Sequence, residues 1–194
     1  MHRSRIAAFL IFAVSIPPSS VWAADNELYD APPPEDAVFV RWIEEETAPR
    51  VLGIRMPEEP GDVFYPVSAA LTDGGLVGSF YTAAVDAKGN VHVIREPDRG
   101  DRSKVLLTLL NLTDEHARLV LSDQNIDVIG TTDINSAGSR TVNPVAATLS
   151  VVTSSGAVLG RFDVQLRRGQ TITFVARPDG ADLIENRFGP NIGG

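Results

Sequence analysis

Between residues 37 and 43 the side chains alternate: Val38, Val40 and Trp42 share one face of an extended chain and Phe39, Arg41 and Ile43 the other, until Glu44-Glu45-Glu46 interrupts the run. A period of two is the pattern of a β-strand. Further short strands are predicted at residues 50–56, 62–68, 75–86 and 91–96, and the Gly-containing turn Ala87-Lys88-Gly89-Asn90 joins the last two as a hairpin. No helical period is sustained in this half.

After residue 104 the alternation resumes. Residues 104–112, 116–122, 126–130, 139–143, 145–153, 158–165 and 170–177 form seven strand candidates, most of them separated by Asp, Asn, Gly and Ser turns. Val145, Ala147, Leu149 and Val151 share a face, as do Ile172, Phe174 and Ala176, with Thr171, Thr173, Val175 and Arg177 opposite. Seven short strands at this spacing predict an antiparallel sandwich. The fold class is therefore all-β: two tandem antiparallel β-sandwich domains, over residues 37–97 and 104–178, joined by a linker at 98–103. Residues 95–104 read REPDRGDRSK, in which seven of ten are charged, as suits a solvated joint. Each domain is small for a sandwich, so the two are expected to dock. Residues 179–194 are rich in Gly and Pro and predict a flexible tail.

The start of the chain sets the compartment. Residues 1–23 combine a cationic beginning at Arg3 and Arg5, an apolar run from Ile6 to Ile16, then Pro17-Pro18 and small residues up to Ala23. This reads as a secretory signal peptide cut between Ala23 and Ala24, its apolar run too short to span a bilayer. Residues 24–36, with Pro32-Pro33-Pro34 and several acids, predict an extended arm whose main adhesive residue is Tyr29. An exported, soluble chain without stable membrane insertion follows.

The leader carries two of the 17 basic residues and none of the 25 acidic ones, leaving 15 against 25, about −10 for the mature chain. So acidic a surface argues against nucleic acid and anionic membranes as partners. There is no Cys, so packed cores must supply the stability.

Candidate chemistry is sparse. The mature chain has two histidines, His92 on a strand and His116 in a turn, and nothing in the sequence sets a Ser hydroxyl and an orienting acid beside either. Asp123, Asn125 and Asp127 begin like a calcium loop, but Val128 stands where the sharp turn needs Gly and Ile134 where a closing Glu belongs. The run Gly74-Gly75-Leu76-Val77-Gly78 lacks the spacing and the Lys of a phosphate loop. Catalytic residues, cofactors and metals are therefore not assigned. For a binding role the local set is basic and aromatic: Arg99, Arg102 and Lys104 around the linker, with Tyr81 and His92 from the preceding hairpin. Asn143, held extended before Pro144, reads first as a turn residue and second as a partner contact.

Leu28-Tyr29 with the Pro-rich arm, Phe39-Val40-Arg41, Arg95-Glu96-Pro97, Lys104-Val105-Leu106, Asn111-Leu112-Thr113-Asp114, and above all Arg140-Thr141-Val142-Asn143-Pro144-Val145 together resemble the alginate biosynthesis protein AlgF family. The resemblance implies a periplasmic protein of sandwich modules, immunoglobulin-like or similar to carbohydrate-binding modules, needed for alginate O-acetylation without holding the transfer site. Its implied partners are the periplasmic O-acetyltransferase components, which the chain would join as a scaffold. The alternative is a polysaccharide-binding module that presents alginate to them.

Overall fold

The computed structural model describes residues 32–44, 50–58, 61–97, 101 and 103–192. The leader, the arm up to residue 31 with Tyr29, and Arg99 and Arg102 of the linker lie outside the described residues. Among the described residues no helix is long and apolar enough to cross a membrane.

The first half forms β1 (Ala37–Trp42), β2 (Arg50–Val51), β3 (Ile54–Arg55), β4 (Val63–Ser68), β5 (Phe80–Val85) and β6 (Val91–Glu96), with one 3-10 turn at Ala69–Leu71. The second half forms β7 (Val105–Asn111), β8 (Ala117–Leu121), β9 (Ile126–Thr132), β10 (Ser136–Val142), β11 (Ala146–Thr153), β12 (Val158–Gln165), β13 (Thr171–Arg177), β14 (Gly180–Glu185) and β15 (Arg187–Phe188).

These strands build three main sheets, ordered β15-β4-β1-β5-β6, β10-β7-β13-β14 and β12-β11-β8-β9. The fold is all-β, and its second half is a sandwich: Leu107, Leu109, Ile172 and Phe174 of one sheet pack on Leu119, Leu149 and Val151 of the other. The first half departs from expectation, because it contributes four strands of one five-stranded sheet, completed by β15 from the end of the chain, and opposes them with only a two-stranded hairpin. The reason lies in residues 50–56. Leu52 and Gly53 adopt positive φ (47° and 81°), which folds that predicted strand into the small β2–β3 hairpin. The hairpin covers one face of the sheet, with Val51 and Met56 against Val38, Val40, Trp42 and Tyr65.

The other face therefore needs a partner, and the second half provides it. Ile43, Ala84 and Ile94 pack on Leu110, Leu112 and Val175, so the sheet carrying β7 and β13 is buried on both sides. Buried on both faces, β7 reads as the near-continuous apolar run VLLTLLN with every residue inside. The sheets are also mixed where the sequence predicted antiparallel pairing alone: β1 runs parallel to β5, β13 to β7 and β15 to β4.

The expected flexible tail is corrected as well. Residues 180–185 pair with β13 as a hairpin, and the chain then crosses to the first-half sheet, where Arg187 and Phe188 pair with Val63 and Phe64. Gly189 and Ile192 extend this edge by donating N–H groups to Phe64 and Pro66. The crossing demands a residue without a side chain: a Cβ on Gly189 would stand 2.6 Å from the Tyr65 ring.

At the centre of the interlayer contact lies Arg41, fully buried. Its Nη2 donates to Glu96 Oε1 at 2.6 Å and to Thr173 Oγ1 at 3.0 Å, its Nε to Thr82 Oγ1 at 2.7 Å, and its Nη1 to Asn186 Oδ1 at 2.7 Å. The guanidinium also sits 4.2 Å from the centroid of the Phe64 ring. Burial pushes its pKa below the ordinary value, and the Glu96 carboxylate opposes that. Removing one member of such a pair strands the other charge in the interior, at about 3–5 kcal/mol, whereas replacing both by apolar groups is close to neutral. Arg41→Ala is accordingly expected to lower the unfolding free energy by roughly 3–5 kcal/mol in urea titrations, and Arg41→Met with Glu96→Leu to recover most of it. Equal losses in the single and double variants would contradict this account.

Candidate functional site

The seam that buries Arg41 opens at one end into a groove of about 980 Å³. Its floor is aromatic because of strand register. Phe39 and Phe80 are neighbours across the parallel β1/β5 pair, so their rings stack at 4.4 Å between centroids. Phe64 meets Phe80 edge-on at 5.2 Å, and Phe188, set beside Phe64 by the β15/β4 pairing, points its edge at Phe39 at 5.7 Å. Geometries of this kind add about 0.5–1.5 kcal/mol per pair beyond area burial. Phe188 nevertheless stays 55% exposed.

The facing wall comes from the second half. Leu106 at the start of β7 and the turn Arg168-Gly169-Gln170 before β13 line it, with Asp101, Lys104, Glu185 and Asn186 around the mouth. The turn is fixed by backbone bonds from Gly169 N–H to Lys104 and from Leu106 N–H to Gln170. Gln170 Nε2 donates to Glu185 at 2.9 Å, and hydrogen bonds from Ser103 hold Asp101 below its ordinary pKa, with Lys104 and Arg168 adding to the effect. Two carboxylates and two cations therefore share the rim, and the carboxylates are the better satisfied.

Of the described residues among those singled out in the sequence, only Lys104 reaches this groove. Tyr81 is a core residue, 8% exposed, on the opposite face of its sheet; its hydroxyl accepts the Leu76 N–H at 3.2 Å. His92 stands four residues from Glu96 along β6, about 13 Å at strand rise. There its Nε2 lies 2.7 Å from Asp86 and 3.2 Å from the Asn135 amide, tying the β5–β6 hairpin to the β9–β10 turn. Asn143 is exposed in the β10–β11 connection and does not line the groove. Among the described members of the predicted cluster, Lys104, Tyr81 and His92 stand apart from one another; Arg99 and Arg102 lie outside the described residues.

Phe39, Phe80, Phe188 and Arg168 were not singled out. One signal was available: Arg167-Arg168-Gly169 is a basic pair in the turn between two well-patterned strands. Phe188 carried none, since its stretch read as tail.

Several titratable groups outside the groove hold turns. His116 Nδ1 lies 3.3 Å from Asp133, and no Ser or Thr hydroxyl bonds either histidine ring among the described residues. In the calcium-like stretch, Arg118 bonds Asp127 at 2.7 Å and reaches Asn125, so a guanidinium occupies the position a cation would take. Asp86 is held well below the usual carboxylate range, first by the Asn90 backbone N–H and further by His92 and the Lys88 N–H. Glu115 is lowered by the N–H and hydroxyl of Ser155 and by Ser154.

Stacked sheets and an aromatic-floored groove with both charges on its rim define an all-β protein of packed layers. The chain belongs to the AlgF family: the family model described as "Alginate O-acetyl transferase AlgF" matches residues 76–173, from the loop before β5 into β13. The alginate biosynthesis protein AlgF of Pseudomonas putida is 25% identical over an alignment spanning 93% of each chain. That of Pseudomonas syringae pv. tomato is 27% identical over 104 residues, 54% of this chain and 47% of the relative. That of Azotobacter vinelandii is 25% identical over 77% of this chain and 76% of its own. A solved structure of the C-terminal domain of AlgF from P. aeruginosa overlaps 43% of this chain and 97% of its own, at 23% identity and a TM-score of 0.37.

The lowered carboxylates predict acid sensitivity with a definite sign. A carboxylate whose folded pKa is depressed stabilises the fold above its unfolded value, near 4, and that contribution disappears as pH falls through the folded value. Thermal melts should show this contribution constant above about pH 5 and lost progressively below pH 4. Asp86→Asn should lower the midpoint at pH 7 and shrink the drop on acidification; an unchanged drop would assign the sensitivity elsewhere.

Proposed function

We propose that this chain is a non-catalytic, exported component of alginate O-acetylation that joins the acetyltransferase components. Membership of the AlgF family carries the reading, with a relative of matching length named an alginate biosynthesis protein. The reading takes the chain to the periplasm, supported by the signal-peptide pattern of residues 1–23. The family's description includes a transferase, so the non-catalytic part rests on the site itself. Nucleophilic acyl transfer needs a hydroxyl, a base and an orienting acid in hydrogen-bond sequence. The two described histidines are instead spent on carboxylates that brace turns.

The polysaccharide-binding alternative would use the second-half sandwich in the manner of a carbohydrate-binding module. The charge pattern speaks against it: a uronate polymer carries a negative charge on every sugar, and the groove sets Asp101 and Glu185 beside Lys104 and Arg168 on a chain whose formal net charge is −8.

In the source organism, deletion of the gene should leave polymer secretion in place while ester-linked acetate falls to background, and the wild-type gene should restore it. The purified chain should not hydrolyse p-nitrophenyl acetate. Esterase activity that survives purification and disappears with a single Ser→Ala change would overturn the non-catalytic reading. Salt-sensitive binding to alginate, lost on Lys104→Glu, would favour the polymer alternative.

A further inference from the structure

Phe188 is an unusual place for exposure. It lies on an ordered strand, its neighbours Phe39, Phe64 and Phe80 hold its position, and the residue, which lines the groove, is 55% exposed. Large rigid aromatics presented this way are typical anchors in protein recognition, since little side-chain entropy is lost when they are covered. The groove's lip adds to the apolar surface. Leu76 and Val77 are 52% and 61% exposed, directly before Gly78, which lines the groove with Pro33. This loop is pinned rather than loose: Gly75 N–H bonds Thr72 Oγ1, Leu76 N–H bonds the Tyr81 hydroxyl, and Gly78 N–H bonds the Ala37 carbonyl at 2.7 Å.

Charge sets what can lie there. Glu185 is engaged by Gln170 and Asp101 by Ser103, while the Lys104 ammonium and the Arg168 guanidinium act on Asp101 through space without a close ion-pair contact to a described side chain. Both cations are exposed on the rim, across the groove from the aromatic floor. A ligand that supplies one carboxylate to them and an apolar group to Phe188 satisfies both halves. A repeating polyanion would bring further charges against Asp101 and Glu185.

We propose that this groove docks an extended segment of a partner protein in which an aromatic or large aliphatic side chain sits beside a carboxylate, the apolar group covering Phe188 and the carboxylate meeting Lys104 and Arg168. This deepens the scaffold reading above and rests on it. An extended segment suits a groove that lies between two stacked sheets and is lined by strand ends and turns. Its apolar side chain gives affinity and its carboxylate gives register, the usual division at such interfaces.

The test is selection from a random dodecapeptide display library on the full mature chain. Peptides enriched on the wild type should carry Asp or Glu within two positions of Phe, Tyr, Trp or Leu. The leading peptide, synthesised and titrated by fluorescence anisotropy, should bind at least tenfold more weakly to the Lys104→Glu, Arg168→Glu double variant and to Phe188→Ser. It should bind unchanged to Arg161→Glu, on the exposed face of β12. Should charge reversal lower the melting temperature, Lys104→Gln with Arg168→Gln makes the same comparison without new carboxylates. Failure to enrich an acidic and apolar pattern, binding indifferent to the double variant, or displacement by oligomannuronate would each overturn the proposal. The two readings separate on co-purification of acetylation proteins: recovery that persists with the double variant rejects the groove and leaves the scaffold standing, whereas no recovery with the wild type rejects the scaffold itself.

Discussion

One buried guanidinium holds the layers together. Arg41 leaves β1 on the face opposite the hairpin-covered core, and it bonds Thr82 and Glu96 from its own sheet and Thr173 and Asn186 from the next. A charge this deep is tolerated only when its donors are engaged; here the Nε and both terminal nitrogens are used, and Phe64 closes the face of the plane. Buried pairs of this sort add little net stability over an apolar substitute. What this one can fix is arrangement. Sliding β13 by one residue would remove Thr173 from the guanidinium and present Ile172, which belongs to the other core, to a charge.

The same constraint accounts for the division of labour between the halves. The first half cannot cover both faces of its sheet by itself, since its second layer is a hairpin of two two-residue strands on one side only. It borrows the outer face of the second-half sandwich, and the chain end returns to seal the edge at β4. The groove is a consequence of that borrowing. Where the layers meet closely, Ile43, Ala84, Leu110 and Val175 fill the gap; beyond the Arg41 network they diverge, and the phenylalanines are left with a wall only on the far side.

How much of this the sequence could reveal follows from the range of each interaction. Strands whose alternation is local were legible: residues 158–165 match β12 at both ends, and the two faces of β13 were sorted correctly, both of them proving to be buried. Residues 75–79 were drawn into a strand because Leu76 and Val77 look like strand residues; Gly74 and Gly78, at φ of 80° and 75°, turn the chain into a loop instead. The parallel pairings leave no local mark, because nothing within β1 specifies β5 as its neighbour. Arg41 was unreadable for the same reason. A lone cation on a strand normally faces water, and the partners that bring it inside lie 41, 55, 132 and 145 residues away.

The candidate site shows this most sharply. A reading confined to neighbours in sequence gathered basic residues near the linker and added aromatics from the adjoining hairpin, yet strand parity had already placed Tyr81 on the covered face, opposite Phe80. Alternation therefore held the right answer in part: if Thr82 faces the second half, so does Phe80, and so across the pair does Phe39. What no local pattern held was Phe188, whose position depends on a two-residue strand reaching back over more than a hundred residues to β4. A groove assembled from β1, β5, β7, the β12–β13 turn and β15 exists only after the layers have packed. Its integrity consequently depends on Arg41, so loss of that buried pair should open the groove and loosen the fold through one and the same event.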